Sequence, residues 1–330
     1  MKRFDKGLIC LAFALSLIGC TRSSSTEAID AYALLVPDFR NDVVHKIAAD
    51  GTYEGDFLDA SRFEDANVGS RVWRSPKGMV YLDGNPGLFW VLSERSLSEW
   101  DTQGRFVRTV YSDTSVMESP TGIVRLGDHV FITSKDKKIM LVFTIEGEIV
   151  SRFGYPALER AKDLVVGRDR LIYVGSSAQS SSQKGLVSIW NPYEIKIDAE
   201  PLGYRIPPDL KGDGPLSVHS LAFDDDDNLL ITDFAKGRLE RWSMERNERI
   251  EILLEGGHPG AYLELARGPD GLVYLAGADG IYRFPSSAPA AELQTIEPFF
   301  KAAELGERYE HAFSPSSILF ARRAALVAAD

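Results

Sequence analysis

The 330-residue sequence has only two cysteines, Cys10 and Cys20, and both lie near its N-terminus. From residue 21 onward the chain has no thiol. Disulfide bonds, cysteine nucleophiles and cysteine-ligated metals are therefore excluded from this body. A domain of this length can be stabilised by its hydrophobic core alone.

Positive charge is also scarce relative to negative charge. The chain has 37 Lys and Arg residues against 48 Asp and Glu residues, which gives a formal net charge of −11. Nucleic-acid binding needs concentrated Lys and Arg, so no nucleic-acid partner is expected. The same imbalance argues against a polybasic face that binds membranes.

Long apolar runs, long helices and catalytic motifs are lacking as well. The apolar run from Leu8 to Ile18 is too short to span a bilayer as a permanent helix. The body shows no extended helical periodicity. It has no nucleophile elbow, zinc-binding helix motif or phosphate-binding loop. The sequence therefore identifies no reaction.

The N-terminus has a distinct pattern. Lys2, Arg3 and Lys6 precede the apolar run, which ends in Leu-Ile-Gly-Cys at residues 17–20 and is followed by a Ser/Thr tract. This pattern resembles a bacterial lipoprotein signal with its lipobox. The resemblance implies export, cleavage before Cys20 and membrane attachment through a lipid on Cys20. The alternatives are an ordinary secretory signal and a cytosolic chain with an apolar start.

The same resemblance divides the chain into three parts. Residues 1–19 are the expected signal peptide, 20–31 a lipidated tether and 32–330 a globular domain. In enteric bacteria an Asp after the lipidated cysteine signals retention in the inner membrane, and here that place holds Thr21. We therefore expect the outer membrane if the cell has two membranes.

A short β-rich run recurs six times along the body. Its anchors are 41 to 57 residues apart, at Val36, Val91, Ile132, Val174, Ile231 and Leu275. A bulky apolar residue follows each anchor, at Ile47, Trp100, Phe143, Trp190, Trp242 and Phe284. Ser-Pro segments or looser versions precede most of these runs. Four short strands per repeat predict the blades of a β-propeller, with Trp100, Trp190 and Trp242 in equivalent positions between neighbouring blades.

Three segments are similar to the blades of NHL-type six-bladed propellers. Residues 35–41 (Leu-Val-Pro-Asp-Phe-Arg-Asn) and 230–239 (Leu-Ile-Thr-Asp-Phe-Ala-Lys-Gly-Arg-Leu) match the middle of such a blade. Residues 119–123 (Ser-Pro-Thr-Gly-Ile) match its beginning. The resemblance covers about residues 32–320. It implies an all-β, NHL/TolB-like ring of six four-stranded antiparallel blades.

The two ends of the chain are expected to close the ring. The first repeat, residues 32–57, lacks its innermost strand, and residues 317–320 (Ser-Ile-Leu-Phe) can supply it. Such pairing removes two free sheet edges. Residues 325–330 have the pattern of a further second strand, which leaves a seventh, incomplete blade as an alternative. A two-sheet sandwich with chance periodicity is the other alternative.

Polar residues at the openings of the inner strands are the candidate site. They are expected to meet at one mouth of the axial channel, and the charged or imidazole-bearing ones are Lys77, Lys162, Asp163, His219 and Glu264. Such a cluster suits a polar ligand or, through Asp163, His219 and Glu264, a divalent cation. A water-filled funnel without a ligand is the alternative. No cofactor is otherwise predicted.

The acidic run from Asp224 to Asn228 is the other conspicuous cluster. A calcium-binding EF-hand loop needs Gly at its sixth place and Glu at its twelfth. Counted from Asp224, these places hold Leu229 and Ala235. We therefore interpret the run as the tip of a hairpin, where Asp and Asn are ordinary turn residues.

The function that these patterns favour is binding. The predicted protein is a non-catalytic scaffold at the cell envelope that presents one propeller face to a protein or a polar small molecule. The alternative is a metal-assisted hydrolase or lactonase at the channel mouth, for which Asp163 and Glu264 are the available carboxylates. Nothing specific favours a third option, a polysaccharide lyase.

Overall fold

Six β-sheets of four antiparallel strands each form the body of the protein. The structure, a computed structural model, describes residues 31–63, 73–84, 87–154, 158–178, 184–194, 199–206, 213–256, 258 and 260–326. The sheets are the blades of a six-bladed β-propeller, which confirms the predicted fold class. The signal peptide, Cys20 and nearly all of the tether lie outside the described residues.

The strands of the first three blades are β1 (Tyr32–Asp38), β2 (Val43–Ala48), β3 (Tyr53–Leu58), β4 (Gly78–Leu82), β5 (Leu88–Leu92), β6 (Leu97–Asp101), β7 (Phe106–Tyr111), β8 (Pro120–Leu126), β9 (His129–Ser134), β10 (Ile139–Thr144) and β11 (Ile149–Gly154). Those of the next three are β12 (Ala161–Val166), β13 (Ile172–Ser176), β14 (Leu186–Trp190), β15 (Gly203–Ile206), β16 (Val218–Phe223), β17 (Leu229–Asp233), β18 (Arg238–Ser243), β19 (Glu248–Glu255), β20 (Tyr262–Arg267), β21 (Leu272–Gly277), β22 (Gly280–Pro285) and β23 (Phe300–Lys301). The last strand, β24 (Leu319–Arg322), belongs to blade 1.

Pairing of the chain ends closes the ring, as predicted. The order of blade 1 is β24-β1-β2-β3. Strand β24 runs antiparallel to β1, with Ala33 opposite Ala321. The strand begins two residues later than the segment predicted for it. Each of the five other blades is built from four consecutive strands.

The alternatives of a seventh blade and of a sandwich are wrong, since the described residues form six separate sheets in a ring. The helical turn α2 (Arg323–Leu326) stands where the further strand was expected to begin. Ala and Leu are good helix formers, and Leu326 is buried in the core between blades 1 and 2. Residues 327–330 lie outside the described part.

Among the residues that the structure describes, helices are few and short. They are the α-helical turn α1 (Ala290–Leu293), the turn α2 and two 3₁₀ segments, Ala60–Arg62 and Ala302–Arg308. In the part of the chain that the structure describes, no helix has the length and apolar character needed to cross a membrane.

Six hydrophobic cores fill the spaces between neighbouring blades. The third-strand anchors Trp100, Trp190 and Trp242 lie buried in three of these cores and face the preceding blade. Each is paired with the residue two places before the second-strand anchor of its own blade. The predicted equivalence of the three tryptophans is therefore confirmed.

The inner strands contribute an apolar waist to the channel. One residue from each of the inner strands of blades 2 to 6, and the residue just before β24, enter six different cores: Met79, Ile123, Leu164, Leu221, Leu265 and Ile318. The same six residues line a channel cavity of about 540 Å³. The inner strands thus change from polar at their openings to apolar at their middle.

The acidic run at Asp224 is a hairpin tip, as interpreted from the sequence. It joins β16 to β17, where Phe223 pairs with Leu229. The Asp224 carboxylate accepts hydrogen bonds from the backbone N–H groups of Asp226 (3.0 Å) and Asn228 (2.8 Å). Arg241 lies 3.2 Å from the other carboxylate oxygen. The Asp224 carboxylate is therefore engaged by backbone N–H groups and the Arg241 guanidinium.

Candidate functional site

The inner-strand openings of all six blades converge on one cavity of about 350 Å³, which we call the polar mouth. The inner-strand residues that line it include Lys77, Thr121, Lys162, His219, Glu264 and Ser316. Four of the five residues predicted for the candidate site are thereby brought together. Asp163, the fifth, lines the channel cavity of about 540 Å³ instead.

A recurring β-bulge aims side chains at the mouth. In blades 3, 4 and 5 the register of the innermost strand pair shifts at Thr121, Lys162 and His219, so that these residues have no direct partner on the second strand. In blade 6 the shift falls at Leu263, next to Glu264. Bulges bend a strand and redirect its side chains, which explains why these positions are free to take polar residues.

His219 and Glu264 form the centre of the polar mouth. His219 Nε2 lies 3.4 Å from Glu264 Oε1, and the two side chains are 21% and 10% exposed. The imidazole stacks on Phe234 with a centroid distance of 5.2 Å. Its Nδ1 atom is buried and has no hydrogen-bond partner among the described residues. An orphaned buried polar atom costs free energy, so this pair is placed at a cost in stability.

Burial keeps both members of the pair uncharged. Burial raises the pKa of Glu264 to about 8, although Ser220, Lys162 and Lys77 lower it. Burial also lowers the pKa of His219 to about 3, and the positive charge of Lys162 acts in the same direction. At neutral pH the carboxyl is mostly protonated and the imidazole is neutral, so the pair adds little charge to the mouth.

Asp163 is turned away from the mouth and joins neighbouring blades. Its Oδ2 atom accepts hydrogen bonds from Ser220 Oγ (2.8 Å) and from the backbone N–H of Leu221 (3.0 Å). Burial, and next the charge of Glu264, raise its pKa to about 7. Ser220 Oγ in turn accepts from the backbone N–H of Leu265 at 3.0 Å, so one carboxyl–hydroxyl chain crosses blades 4, 5 and 6.

Three lysines surround the pair. They are Lys77, Lys162 and Lys135. Of these, only Lys135 was not predicted from the sequence. Burial lowers the pKa of Lys77 and of Lys162, and in both cases the charge of Lys135 lowers it further. None of the three has a carboxylate partner within 4.0 Å among the residues that the structure describes. The mouth therefore holds three lysines against the carboxyl groups of Glu94 and Glu264, which is an excess of positive groups.

The missed residues share one position in the repeat. Phe39, Glu94, Lys135 and Phe234 all line the mouth. Each stands three residues after its second-strand anchor. The turns after the second strands thus form the rim of the mouth together with the openings of the inner strands. The constant spacing of three residues from the anchor is the sequence feature from which these rim residues could have been found.

The predicted cation site remains a prediction. Within the described ranges, no group of three or more His, Cys, Asp and Glu side chains is placed to hold a metal ion. Of the three candidate ligands, His219 and Glu264 lie together, whereas Asp163 is engaged by Ser220 and Leu221.

Comparison with known proteins identifies the fold and not a family. No protein-family profile matches the chain, and no curated protein matches its sequence. Among solved structures, a chain of a nidogen–laminin complex covers 88% of this chain and 98% of its own length, with 15% identity and a TM-score of 0.61. A protein of unknown function from Bacteroides caccae covers 88% of this chain and 99% of its own, with 14% identity and a TM-score of 0.58.

A streptogramin B lyase structure is a third neighbour. It covers 82% of this chain and 83% of its own length, with 12% identity and a TM-score of 0.51. At such low identity these likenesses show a shared propeller fold alone. Propellers host unrelated functions, so the function of this chain has to be argued from its own site.

Proposed function

We propose that this protein is an exported, lipid-anchored envelope protein whose NHL-like propeller binds a ligand at the polar mouth without transforming it. The lipid on Cys20 attaches it to the membrane, which is the outer one in a cell with two membranes. The propeller then serves as a rigid scaffold that presents the mouth to a polar small molecule or a segment of a protein.

The observation that carries the binding role is the convergence of polar side chains from six blades on one open cavity of about 350 Å³. This volume lies in the range of ligand pockets. The bulged inner strands rest on six apolar cores, so the side chains are held by a rigid framework. A chain of the nidogen–laminin complex has the same fold, so a propeller of this kind can take part in a protein complex.

The protonation of His219 argues against catalysis by its imidazole. An efficient general base has a pKa near the working pH. The pKa of His219 is lowered to about 3, so its imidazole is a weak base at neutral pH. Lys162, which lowers this pKa, is better suited to hold an anionic group than to activate a base.

Ligand retention tests the binding role. Full-length protein in a nonionic detergent is incubated with a small-molecule extract of the producing cells, and retained compounds are identified by mass spectrometry. We expect wild type to retain a compound of unchanged mass, Thr121→Trp at the mouth to lose it, and Thr102→Trp in the turn after β6 to keep it. Equal retention by the mouth variant, or a product of altered mass, contradicts the proposal.

Fatty-acid labelling tests the anchor. Cells grown with an alkyne fatty acid should label the wild-type protein and leave Cys20→Ser unlabelled, as uncleaved precursor or in a soluble fraction. Several acyl chains hold a protein firmly at a membrane, so the labelled protein should sediment with the outer membrane where one exists. An unlabelled wild-type protein eliminates the lipoprotein assignment.

A metal-assisted hydrolase or lactonase is the second candidate. The observation in its favour is the contact of His219 with Glu264 inside an open cavity, since an imidazole and a carboxylate are both metal ligands. Calorimetric titration with calcium, zinc and manganese decides it. Binding that Glu264→Gln abolishes supports the candidate, and no heat with any of the three ions removes it.

A further inference from the structure

We propose that the ligand of the polar mouth is a small organic dianion, with two negative charges on oxygen atoms and an aromatic or other apolar portion. This inference rests on the proposed binding function and specifies the chemical class of its ligand. It is carried by the three lysines of the mouth and by the two phenylalanines at its rim.

The lysines supply the charge that a dianion needs. Lys77, Lys135 and Lys162 come from three different blades and line one cavity. Within the described part of the chain none has a carboxylate within ion-pairing distance. Their mutual repulsion, added to burial, lowers the pKa of Lys77 and Lys162. A bound dianion relieves this repulsion.

The carboxyl groups of the mouth leave that charge in place. Glu264 is mostly protonated at neutral pH because burial raises its pKa to about 8. Glu94 lies 3.5 Å from Arg74, which offsets its charge. The mouth is therefore positive at neutral pH.

The positive mouth contrasts with the rest of the molecule. The whole chain has a formal net charge of −11. Like charges that gather in a recess of an oppositely charged protein concentrate field lines and raise the local concentration of a matching ligand. Lysines that serve only to keep a protein surface hydrated are spread over that surface. Three lysines gathered in one recess therefore indicate a local role.

The rim offers an apolar contact beside the charges. Phe234 is 38% exposed and stacks on His219. Phe39 follows β1 in blade 1, two blades around the ring from Phe234, and Lys77 Nζ lies 4.3 Å from its ring centroid. Accessible aromatic side chains in a cavity that also holds lysines suit a ligand that is anionic at one end and apolar at the other.

Direct titration tests the class of ligand. Calorimetry on the full-length protein in a nonionic detergent uses phenyl phosphate and phthalate as dianions, inorganic phosphate as the anion without a ring, and benzyltrimethylammonium as the cation with one. We expect either or both aromatic dianions to bind, more tightly than inorganic phosphate, with an affinity that falls as salt is added. If only one of the two dianions binds, the result shows whether the mouth prefers a phosphate group or a pair of carboxylates.

Two lysines of one hairpin turn provide matched variants. Lys135 lines the mouth, whereas Lys137 pairs with Glu118 at 2.9 Å and lies outside the mouth. We expect Lys135→Ala to weaken dianion binding about 10-fold or more, the cost of a charge-assisted hydrogen bond, and Lys137→Ala to change it less than about 2-fold. Lys135→Arg should retain most of the affinity. Thermal unfolding of each variant verifies that the fold is intact.

Three results overturn the inference: no binding of either dianion, equal binding of the cation, or equal effects of Lys135→Ala and Lys137→Ala. Retention of a neutral or cationic compound from the cell extract, with no dianion binding, refutes the ligand class and leaves the binding function standing. If the protein retains nothing and binds neither dianion, the binding function itself fails.

Discussion

His219 and His45 show how surroundings decide the charge of a histidine. Both are largely removed from solvent, and burial disfavours the charged form of each. His45 lies 3.3 Å from Asp38 and 3.2 Å from Asp56, and hydrogen bonds to these carboxylates outweigh burial and raise its pKa. His219 lies beside the mostly protonated Glu264, and burial, followed by the charge of Lys162, lowers its pKa to about 3.

Replacing His45 should cost stability in a pH-dependent way. A raised folded-state pKa means that the stabilisation is fully present below pH ~6.5, the unfolded value, and is lost as pH rises through the folded value. We expect His45→Gln to lower the free energy of unfolding by about 3 kcal/mol or more at pH 6, since it strips a buried pair of its cation, and by less at pH 9. Urea denaturation at both pH values measures this, with His311→Gln, at an exposed position, as the control.

Glu264 also has a raised pKa, so its stabilisation, like that of His45, is lost as pH rises; a carboxyl with a lowered pKa behaves in the reverse way. Its folded-state pKa is about 8, whereas an unfolded Glu titrates near 4.3. The folded state therefore binds the extra proton, and stability falls as pH rises between these values. Between pH 6.5 and 8 we expect wild type to lose about 1–2 kcal/mol more than Glu264→Gln. Urea denaturation at several pH values measures this. If the free energy of unfolding changes equally with pH in the two proteins, the assigned protonation of Glu264 is wrong.

At the scale of the element, the repeating unit is a bulged inner strand followed by a core-facing third strand. The bulge redirects polar residues such as Lys162 and His219 to the channel. The third strand places a bulky apolar residue between blades. Where this residue is tryptophan its N–H is satisfied: Trp100 and Trp190 each donate to the serine two residues earlier, at 2.8 Å. Within one blade, the inner strand thus supplies residues to the site and the third strand supplies residues to the core.

Truncation of the third-strand tryptophans should be strongly destabilising. We expect Trp100→Ala, Trp190→Ala and Trp242→Ala each to lower the free energy of unfolding by about 3–5 kcal/mol, through lost burial and the cavity left behind. Val107→Ala, at a half-exposed position in the same blade as Trp100, should cost less than about 1 kcal/mol. Chemical denaturation compares them, and losses under about 1 kcal/mol for all three tryptophans would refute the blade register.

At the scale of the whole molecule, β24 and β1 join the two ends of the described chain. Tyr32 and Arg322 are opposite each other in this pairing, and neither is buried. Opposed residues of antiparallel strands have Cα atoms close enough for a disulfide. The body beyond Cys20 has no competing thiol.

A disulfide between these positions should therefore staple the ring. We expect oxidised Tyr32→Cys/Arg322→Cys to be about 2–5 kcal/mol more stable than its reduced form, because the bond closes a loop around the whole propeller. Denaturation with and without reductant measures the difference, and the single variants should show none. Failure of the bond to form under oxidation would mean that the ends do not pair in this register.

The sequence alone was sufficient for the periodic features of this protein. Anchors such as Val91 and Trp100 recur because every blade buries the same positions against its neighbour, so six blades, their four strands and the closure of the ring could be predicted. The convergence of Lys77, Lys162, His219 and Glu264 also followed, since equivalent places in a ring of repeats meet at one axis.

Tertiary structure decided whatever depends on contacts between blades. Asp163 has the same repeat position as Glu264, yet it faces Ser220 of the next blade and not the mouth. Lys135 reaches the mouth from a turn, and residues 325–326 form a helical turn because Leu326 finds a buried place between blades 1 and 2. Local pattern specifies which face of a strand is buried, whereas the partner of a polar side chain and its charge state are set by neighbours far away in sequence.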